Sequence, residues 1–185
     1  MSEVNPWKTL NSRTIYENDW IRLREDSVIR PDGAPGIYGV VETRVATGVV
    51  ALTPKREIYL VGQYRYPTEM YSWEIIEGGA DKDEDPLAAA KRELAEEAGL
   101  IAKHWEQLGL ELHLSNCYSA EVGMLYIAQE LVETERKPDG TEVLAVKKIS
   151  FETALKMVDD GEIKDSLSII GILRAARLIE RGLLK

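Results

Sequence analysis

The stretch Gly78 to Leu100, GGADKDEDPLAAAKRELAEEAGL, decides how this chain is read. Within it Pro86 to Ala98 carries the clearest helix signal. Asp85 is a capping residue, Pro86 fits the first turn, and Gly99 suits a left-handed stop. Leu87, Ala90, Leu94 and Ala98 recur at helical spacing and form one apolar stripe. Glu93 and Glu97 lie one turn apart and border that stripe, so they face the protein's own surface rather than open solvent. Glu96 lies further round. Like charges at this spacing cost a helix about 0.2–0.5 kcal/mol, and a divalent cation turns that repulsion into coordination. Carboxylate oxygens are hard ligands, which points to Mg²⁺ or Mn²⁺ rather than zinc or copper. Magnesium binds through a few carboxylates together with substrate phosphates. Gly78 and Gly79, without side chains, let a phosphate approach the backbone or expose a carbonyl to a metal. The helix pattern alone equally describes a solvated amphipathic helix rich in glutamate.

Working outward, the segment before the glycines is rich in strand signals. Trp20 to Arg30 alternates apolar and charged positions, Pro31-Asp32-Gly33 is a turn, and Ile37 to Arg44 reads as the return strand of a hairpin. Gly48 to Thr53 and Ile58 to Tyr66 are further strands across a polar turn, and Trp73 to Ile76 is a short strand leading into Glu77. After the helix, strands are expected at Glu106 to Leu114, Gly123 to Leu131 and Val143 to Ile149, then helices at Phe151 to Val158 and Leu167 to Glu180. Many strands with one central and two terminal helices indicate an α+β or layered α/β/α domain.

Composition narrows the function classes. The chain has 185 residues, enough for a core without staples. One cysteine, Cys117, excludes a disulfide framework and a cysteine zinc site, and a reducing cytoplasm is its natural address. No apolar run spans a bilayer, and the N-terminus lacks the pattern of a signal peptide. A formal net charge of −9 argues against nucleic acid and leaves metal ions to supply the positive charge a polyphosphate needs. Cys117 is expected to be a small buried hydrophobe, and His104 and His113 form no metal pattern.

The order of residues in the central stretch is more telling than its helix. Gly78, five residues, Glu84, seven residues, then Arg92-Glu93-Leu94, one residue, Glu96-Glu97, one residue and Gly99-Leu100 match the Nudix box at every defined position. The chain resembles a Nudix hydrolase, which implies an α/β/α sandwich with a mixed sheet. It also implies hydrolysis of a nucleoside diphosphate linked to another moiety. By this resemblance Glu93, Glu96 and Glu97 are metal ligands, Glu96 and Glu97 are also catalytic, and Glu77 offers its backbone carbonyl to the metal. Arg92 and Glu84 are structural supports. Outside the box, Gln63-Tyr64-Arg65-Tyr66 and Trp73 to Gly79 resemble the ADP-ribose and nucleoside-diphosphate-sugar pyrophosphatases. There Arg65 would lie near substrate phosphate or ribose. An N-terminal strand region, residues 1–45, would build a homodimer beside a Nudix domain of residues 46–185.

The proline that ADP-ribose-specific members carry downstream of the box is absent from Leu114-Ser115-Asn116-Cys117. This favours a broader nucleotide-sugar hydrolase, with GDP-mannose-like substrates level with ADP-ribose. Gly79, Trp73 and Glu121 are further candidates for contact with substrate, Trp73 or Tyr71 by stacking on a base; each also has an ordinary core or structural reading. Relatives place a catalytic glutamate on a distant loop. Residues 133–142 form the natural loop here, with Glu142 the candidate base and Glu135 second. Three readings stay beside this one: an ADP-ribose-specific pyrophosphatase, an RNA-cap or dinucleoside polyphosphate hydrolase on the same scaffold, and a silent module that senses a nucleotide sugar.

Overall fold

A computed structural model describes residues 4–137 and 143–184. In chain order its elements are β1 (Lys8–Glu17), β2 (Ile21–Ile29), β3 (Pro35–Thr43), β4 (Ala46–Ala51), β5 (Glu57–Arg65), a 3-10 turn (Tyr66–Thr68), β6 (Met70–Glu74), β7 (Ile76–Gly79), α1 (Pro86–Ala98), β8 (Leu100–Gln107), β9 (Leu112–His113), β10 (Val122–Glu133), β11 (Ala145–Ser150), α2 (Phe151–Asp159) and α3 (Ser166–Glu180). The chain forms two compact units: residues up to Arg44 with His113–Val122, and Val45–Leu112 with the residues from Gly123 onward.

In the first unit β1, β2 and β3 make an antiparallel meander. The Asn18 side chain accepts the Trp20 and Ile21 N–H groups at 2.9 and 2.8 Å and closes the first turn. Gly33, at φ +83°, closes the second, as the Pro-Asp-Gly signal required. The sequence sets no boundary for β1, whose KTLNSRTIYE lacks clean alternation, and all ten of its residues are exposed. Cys117 is exposed too, against expectation. It sits in an irregular segment where Tyr38 donates its hydroxyl to the Cys117 carbonyl at 2.6 Å.

The second unit is built on a mixed sheet in the order β7-β4-β10-β8, with β4 and β10 parallel and the remaining pairs antiparallel. A second sheet, β11-β5-β6, is antiparallel. The run Val49-Val50-Ala51-Leu52 has no polar member because β4 is covered on both faces. Val49 and Ala51 meet Ala90 and Leu94 of α1 in one buried cluster. Val50 faces the other way, towards α3, where a Cβ on Gly171 would stand 3.2 Å from the Val50 methyl. Helices on opposite faces of a mixed sheet make this the expected α/β/α sandwich. Leu94 is fully enclosed, and its burial contributes about 1.5–3 kcal/mol. The helix boundaries match the capping reading. Asp85 accepts the Ala88 N–H at 3.0 Å and Gly99 stops the helix at φ +65°.

Two strands differ from the sequence reading. Trp73 to Ile76 is not one strand: β6 ends at Glu74 and pairs with β5, while β7 starts at Ile76 and pairs with β4. The chain changes sheets at Ile75, whose N–H is taken by the buried Ser168 hydroxyl of α3 at 3.0 Å. Nothing in Trp73-Glu74-Ile75-Ile76 signals such a crossing, because the partner lies 93 residues away. The strand expected at Glu106 to Leu114 begins instead at Leu100, directly after the Gly99 stop, and ends at Gln107. Lys103 and His104 are both exposed although they lie on opposite faces of β8, so the strand shows no clean alternation.

Removing the Ser168 hydroxyl leaves a buried N–H without an acceptor. Ser168→Ala should lower unfolding free energy by about 1–3 kcal/mol, measured as a shift of the urea midpoint. An unchanged midpoint would show that the sheet crossing does not depend on this bond.

Candidate active site

The loop ahead of α1 and the helix itself are tied together by Arg92. Its guanidinium grips Glu84 through two nitrogens at 3.2 and 3.0 Å and reaches the Gly79 carbonyl at 3.0 Å. The other nitrogen donates to Glu93 at 2.7 Å and Glu96 at 3.2 Å. Glu84 in turn accepts the Asp81 N–H at 2.8 Å. A planar fork with five donors suits this job, and lysine would not replace it. Hydrogen bonds to Glu84, with the Glu93 and Glu96 carboxylates adding to them, hold the Arg92 charge well above its ordinary range. Arg92, and after it the Asp81 N–H, hold the Glu84 carboxyl below the usual range.

The three helix carboxylates differ in setting. Glu97 is buried and accepts the Glu77 N–H at 3.2 Å, so α1 is stitched to β7 by a charge-assisted bond. The Glu93 side chain, 12% exposed, lies on Gly78: a Cβ at that glycine would fall 2.0 Å from the Glu93 carboxyl carbon. Glu96, at 40%, is the most open. Among the described residues no three acidic or histidine side chains converge as a ready-made metal cage. The donor set nevertheless fits a cation that binds through one or two carboxylates and takes its remaining ligands from water and phosphate. Gly78 fits it as well, since the close approach of Glu93 leaves no room for a side chain.

Glu77 couples this helix to the rest of the unit. Its carboxyl accepts the Ser168 hydroxyl at 2.8 Å and lies beside Asp165, the residue that caps α3. Burial, then the Asp165 charge and hydrogen bond, push this carboxyl well above the usual carboxylate range. Arg65 makes a two-pronged pair with the buried Glu74, its Nε at 3.0 and 3.1 Å from the two oxygens. Burial opposes the Arg65 charge, but the hydrogen bond and charge of Glu74 outweigh it and raise its pKa.

The remaining candidates are placed as follows. Gly79 is exposed and spends its carbonyl on Arg92. The Trp73 ring lies under Lys147, 3.8 Å from the ammonium, and edge-on to Tyr71 at 5.6 Å. Glu121 belongs to the first unit, where its carbonyl accepts the Leu114 N–H and its own N–H donates to Ser119. Glu135 pairs with Lys137 at 3.1 Å in an exposed position. Glu142 and the Pro138-Asp139-Gly140 turn lie outside the described residues. Sequence reading passed over Glu74, Asp165 and Ser168. The Asp-x-x-Ser spacing at the start of α3 is a capping signal that would have marked the last two as a helix start, though not as neighbours of Glu77.

The Nudix domain model matches residues 42–167, more than half of the chain. The chain belongs to the Nudix family. A model described as the nucleoside diphosphate sugar hydrolase N-terminal domain matches residues 7–41. This Nudix protein is 31% identical to an ADP-ribose pyrophosphatase of Bacillus subtilis (strain 168) over 167 residues, covering 89% of this chain and 90% of that one. It is 30% identical to a methanol dehydrogenase activator of Bacillus methanolicus over 174 residues, covering 93% and 94%. A solved ADP compounds hydrolase superposes with a TM-score of 0.84 over 100% of both chains at 19% identity, a likeness of fold. The Nudix protein is thus a hydrolase of the ADP-ribose and sugar pyrophosphatase subgroup, a family that works with a divalent metal.

Two predictions follow from the loop-helix geometry. In Gly78→Ala the new methyl must displace the Glu93 carboxylate by an ångström or more; turnover should fall about 10²-fold, the usual result of such a misplacement, while circular dichroism stays native. Undiminished turnover would separate Glu93 from the chemistry. The second concerns acid. Because the folded Glu84 carboxyl titrates below its unfolded value near 4.5, its contribution is complete above that value and disappears as pH falls through the lowered one. Urea midpoints of the parent and Glu84→Gln should therefore differ at neutral pH and converge in acid; a pH-independent difference would refute the pairing.

Proposed function

We propose that this Nudix hydrolase cleaves the diphosphate of nucleoside diphosphate sugars in a Mg²⁺-dependent reaction, giving a nucleoside monophosphate and a sugar 1-phosphate. The observation that carries the reading is the pair of carboxylates, Glu97 and Glu93, turned off the helix onto the backbone of Glu77 and Gly78. Glu93 and Glu97, with Glu96 and the Glu77 carbonyl, would hold the metal. When bound there, a divalent ion neutralises the diphosphate and lowers the pKa of a water. Arg92 keeps the helix carboxylates and the glycine loop in one frame. Arg65 is aligned by Glu74, with its outer edge available to a phosphate or ribose. Glu142 is the proposed base that takes the proton of the attacking water. Water adds to one phosphorus, the bridging P–O bond breaks, and the leaving phosphate carries away the electron pair.

ADP-ribose is the first substrate to test beside other nucleotide sugars, because the likeness to the B. subtilis ADP-ribose pyrophosphatase extends over nine-tenths of both chains. A homodimer through the first unit is part of the same proposal. The first unit exposes Leu10, Ile15, Tyr16, Trp20 and Ile37, apolar side chains that a partner copy could cover. No helix among the described residues is long and apolar enough to cross a membrane. A chain with one cysteine and so no internal disulfide is compatible with the cytoplasmic setting proposed here.

Nucleotide and sugar 1-phosphate release from a panel of nucleotide sugars and ADP-ribose, with and without Mg²⁺, tests the reading. Running it in oxygen-18 water identifies the phosphorus attacked. Glu97→Gln retains an oxygen to accept the Glu77 N–H but loses the charge, so it should fold normally and lose turnover by orders of magnitude. Turnover of the panel that is indifferent to Mg²⁺, or near-normal in Glu97→Gln, would defeat the assignment.

A further inference from the structure

A cleft of about 250 Å³ opens in the second unit where the start of α1 meets β8, the strand at the edge of the mixed sheet. It is lined by Asp85 and Leu87, by Trp105, Glu106 and Gln107 of β8, and by Tyr126 of β10. Trp105 and Gln107 share one face of β8, and Tyr126 pairs with Gln107 in the register. Leu87 and Trp105 pack on the same buried cluster, whereas Glu93 and Glu97 turn towards Gly78 and Glu77 of β7. The cleft and the acidic site thus lie on different flanks of α1. Drug-sized ligands occupy about 300–1,000 Å³, so this cleft takes a smaller molecule and not a nucleotide sugar.

Its unspent polar atoms define the ligand. Tyr126 is only 5% exposed, yet its hydroxyl has no hydrogen-bond partner among the described residues. Buried hydroxyls are normally satisfied. This one stands within reach of the Asp85 charge, which adds to burial in holding the phenol protonated. Asp85 spends Oδ2 on the Ala88 N–H and leaves Oδ1 without a partner among the described residues. Gln107 donates Nε2 to the Gly109 carbonyl at 2.9 Å and leaves Oε1. The Trp105 indole N–H is spent on the Ala102 carbonyl at 3.1 Å. What remains is three side-chain oxygens, with the tyrosine hydroxyl the one side-chain donor among them. The Trp105 and Tyr126 rings meet at 73° with centroids 6.5 Å apart, forming an aromatic corner. Lys91, exposed, holds its ammonium 5.9 Å from the Trp105 centroid, so a cation already reaches that ring. Glu106 alternates to the other face of β8 and offsets the Lys91 charge, leaving Asp85 to set the sign. An anion would meet that carboxylate and find little to donate to it. A cation with N–H groups and an apolar body matches both the oxygens and the rings.

We infer that this cleft binds a small organic cation, an alkylammonium or alkylguanidinium, with its N–H groups on Asp85 and the Tyr126 hydroxyl and its alkyl part against Leu87 and Trp105. No step of the hydrolysis proposed above uses the cleft, so the two readings stand or fall separately. The test titrates the full chain, labelled with nitrogen-15, with butylammonium and with butylguanidinium, following the indole N–H signals of its four tryptophans. The Trp105 signal should shift saturably while those of Trp7, Trp20 and Trp73 stay in place, and uncharged butanol should give no saturable shift. Tyr126→Phe keeps the ring and loses the hydroxyl; Kd should rise about fivefold, the worth of one hydrogen bond. Asp85→Asn keeps the helix cap and loses the charge; Kd should rise about twofold to fivefold. Lys91→Met should bind both cations at least as well as the parent. The absence of a saturable Trp105 shift, an equal response to butanol, or parent Kd values in both Tyr126→Phe and Asp85→Asn would overturn the site. Binding confined to Lys91→Met would show that the chain's own lysine fills the corner and would equally overturn it. So would a Trp105 response to a lysine-rich peptide without one to the free cations, which would make the cleft a protein-docking point.

Discussion

One hydrogen bond holds the arrangement together: the buried carboxylate of Glu97 accepting the backbone N–H of Glu77. It joins a helix to a strand with a charged acceptor, about twice as strong as a neutral pair. Because β7 also carries Gly78, the same bond sets the distance at which Glu93 meets the glycine. A negative charge enclosed in this way is costly unless something compensates it. The Glu77 N–H supplies part of that compensation.

Electrostatics around the helix follow from that constraint. Three glutamates within five residues would repel, and one guanidinium serves two of them while anchoring the preceding loop through Glu84. Glu77 is handled differently. Its carboxyl is turned away from the helix toward Asp165 and Ser168, where burial favours its protonated form. The polar groups of α3 thereby reach a strand far away in sequence, and the crossing at Ile75 depends on the same serine.

Much of this was legible in the residues. The α1 boundaries, its apolar stripe and its two inward glutamates came from spacing and capping alone, because those are local rules with periods shorter than the helix. The β2–β3 hairpin was equally plain, since Gly33 serves a turn that few other residues accept. Where reading failed, the deciding partner was remote. β6 and β7 looked like one strand because nothing within Trp73 to Ile76 tells that Ser168 will take the middle N–H. β8 was placed late because exposed residues stand on both of its faces and leave no alternation to read. Cys117 was expected inside on residue type, and its segment proved too irregular to enclose it.

The sequence by itself determined the family, the helix that carries the acidic residues and the glycine that must precede it, because each is encoded in short-range order. Tertiary structure alone decided which carboxylates are buried, that Arg65 is paired with Glu74, and that the α2–α3 loop faces β6 across a cavity. Those outcomes depend on which surfaces exclude water together. Burial and pairing of charge are properties of packed neighbours, and no spacing along a single chain specifies who the neighbours will be.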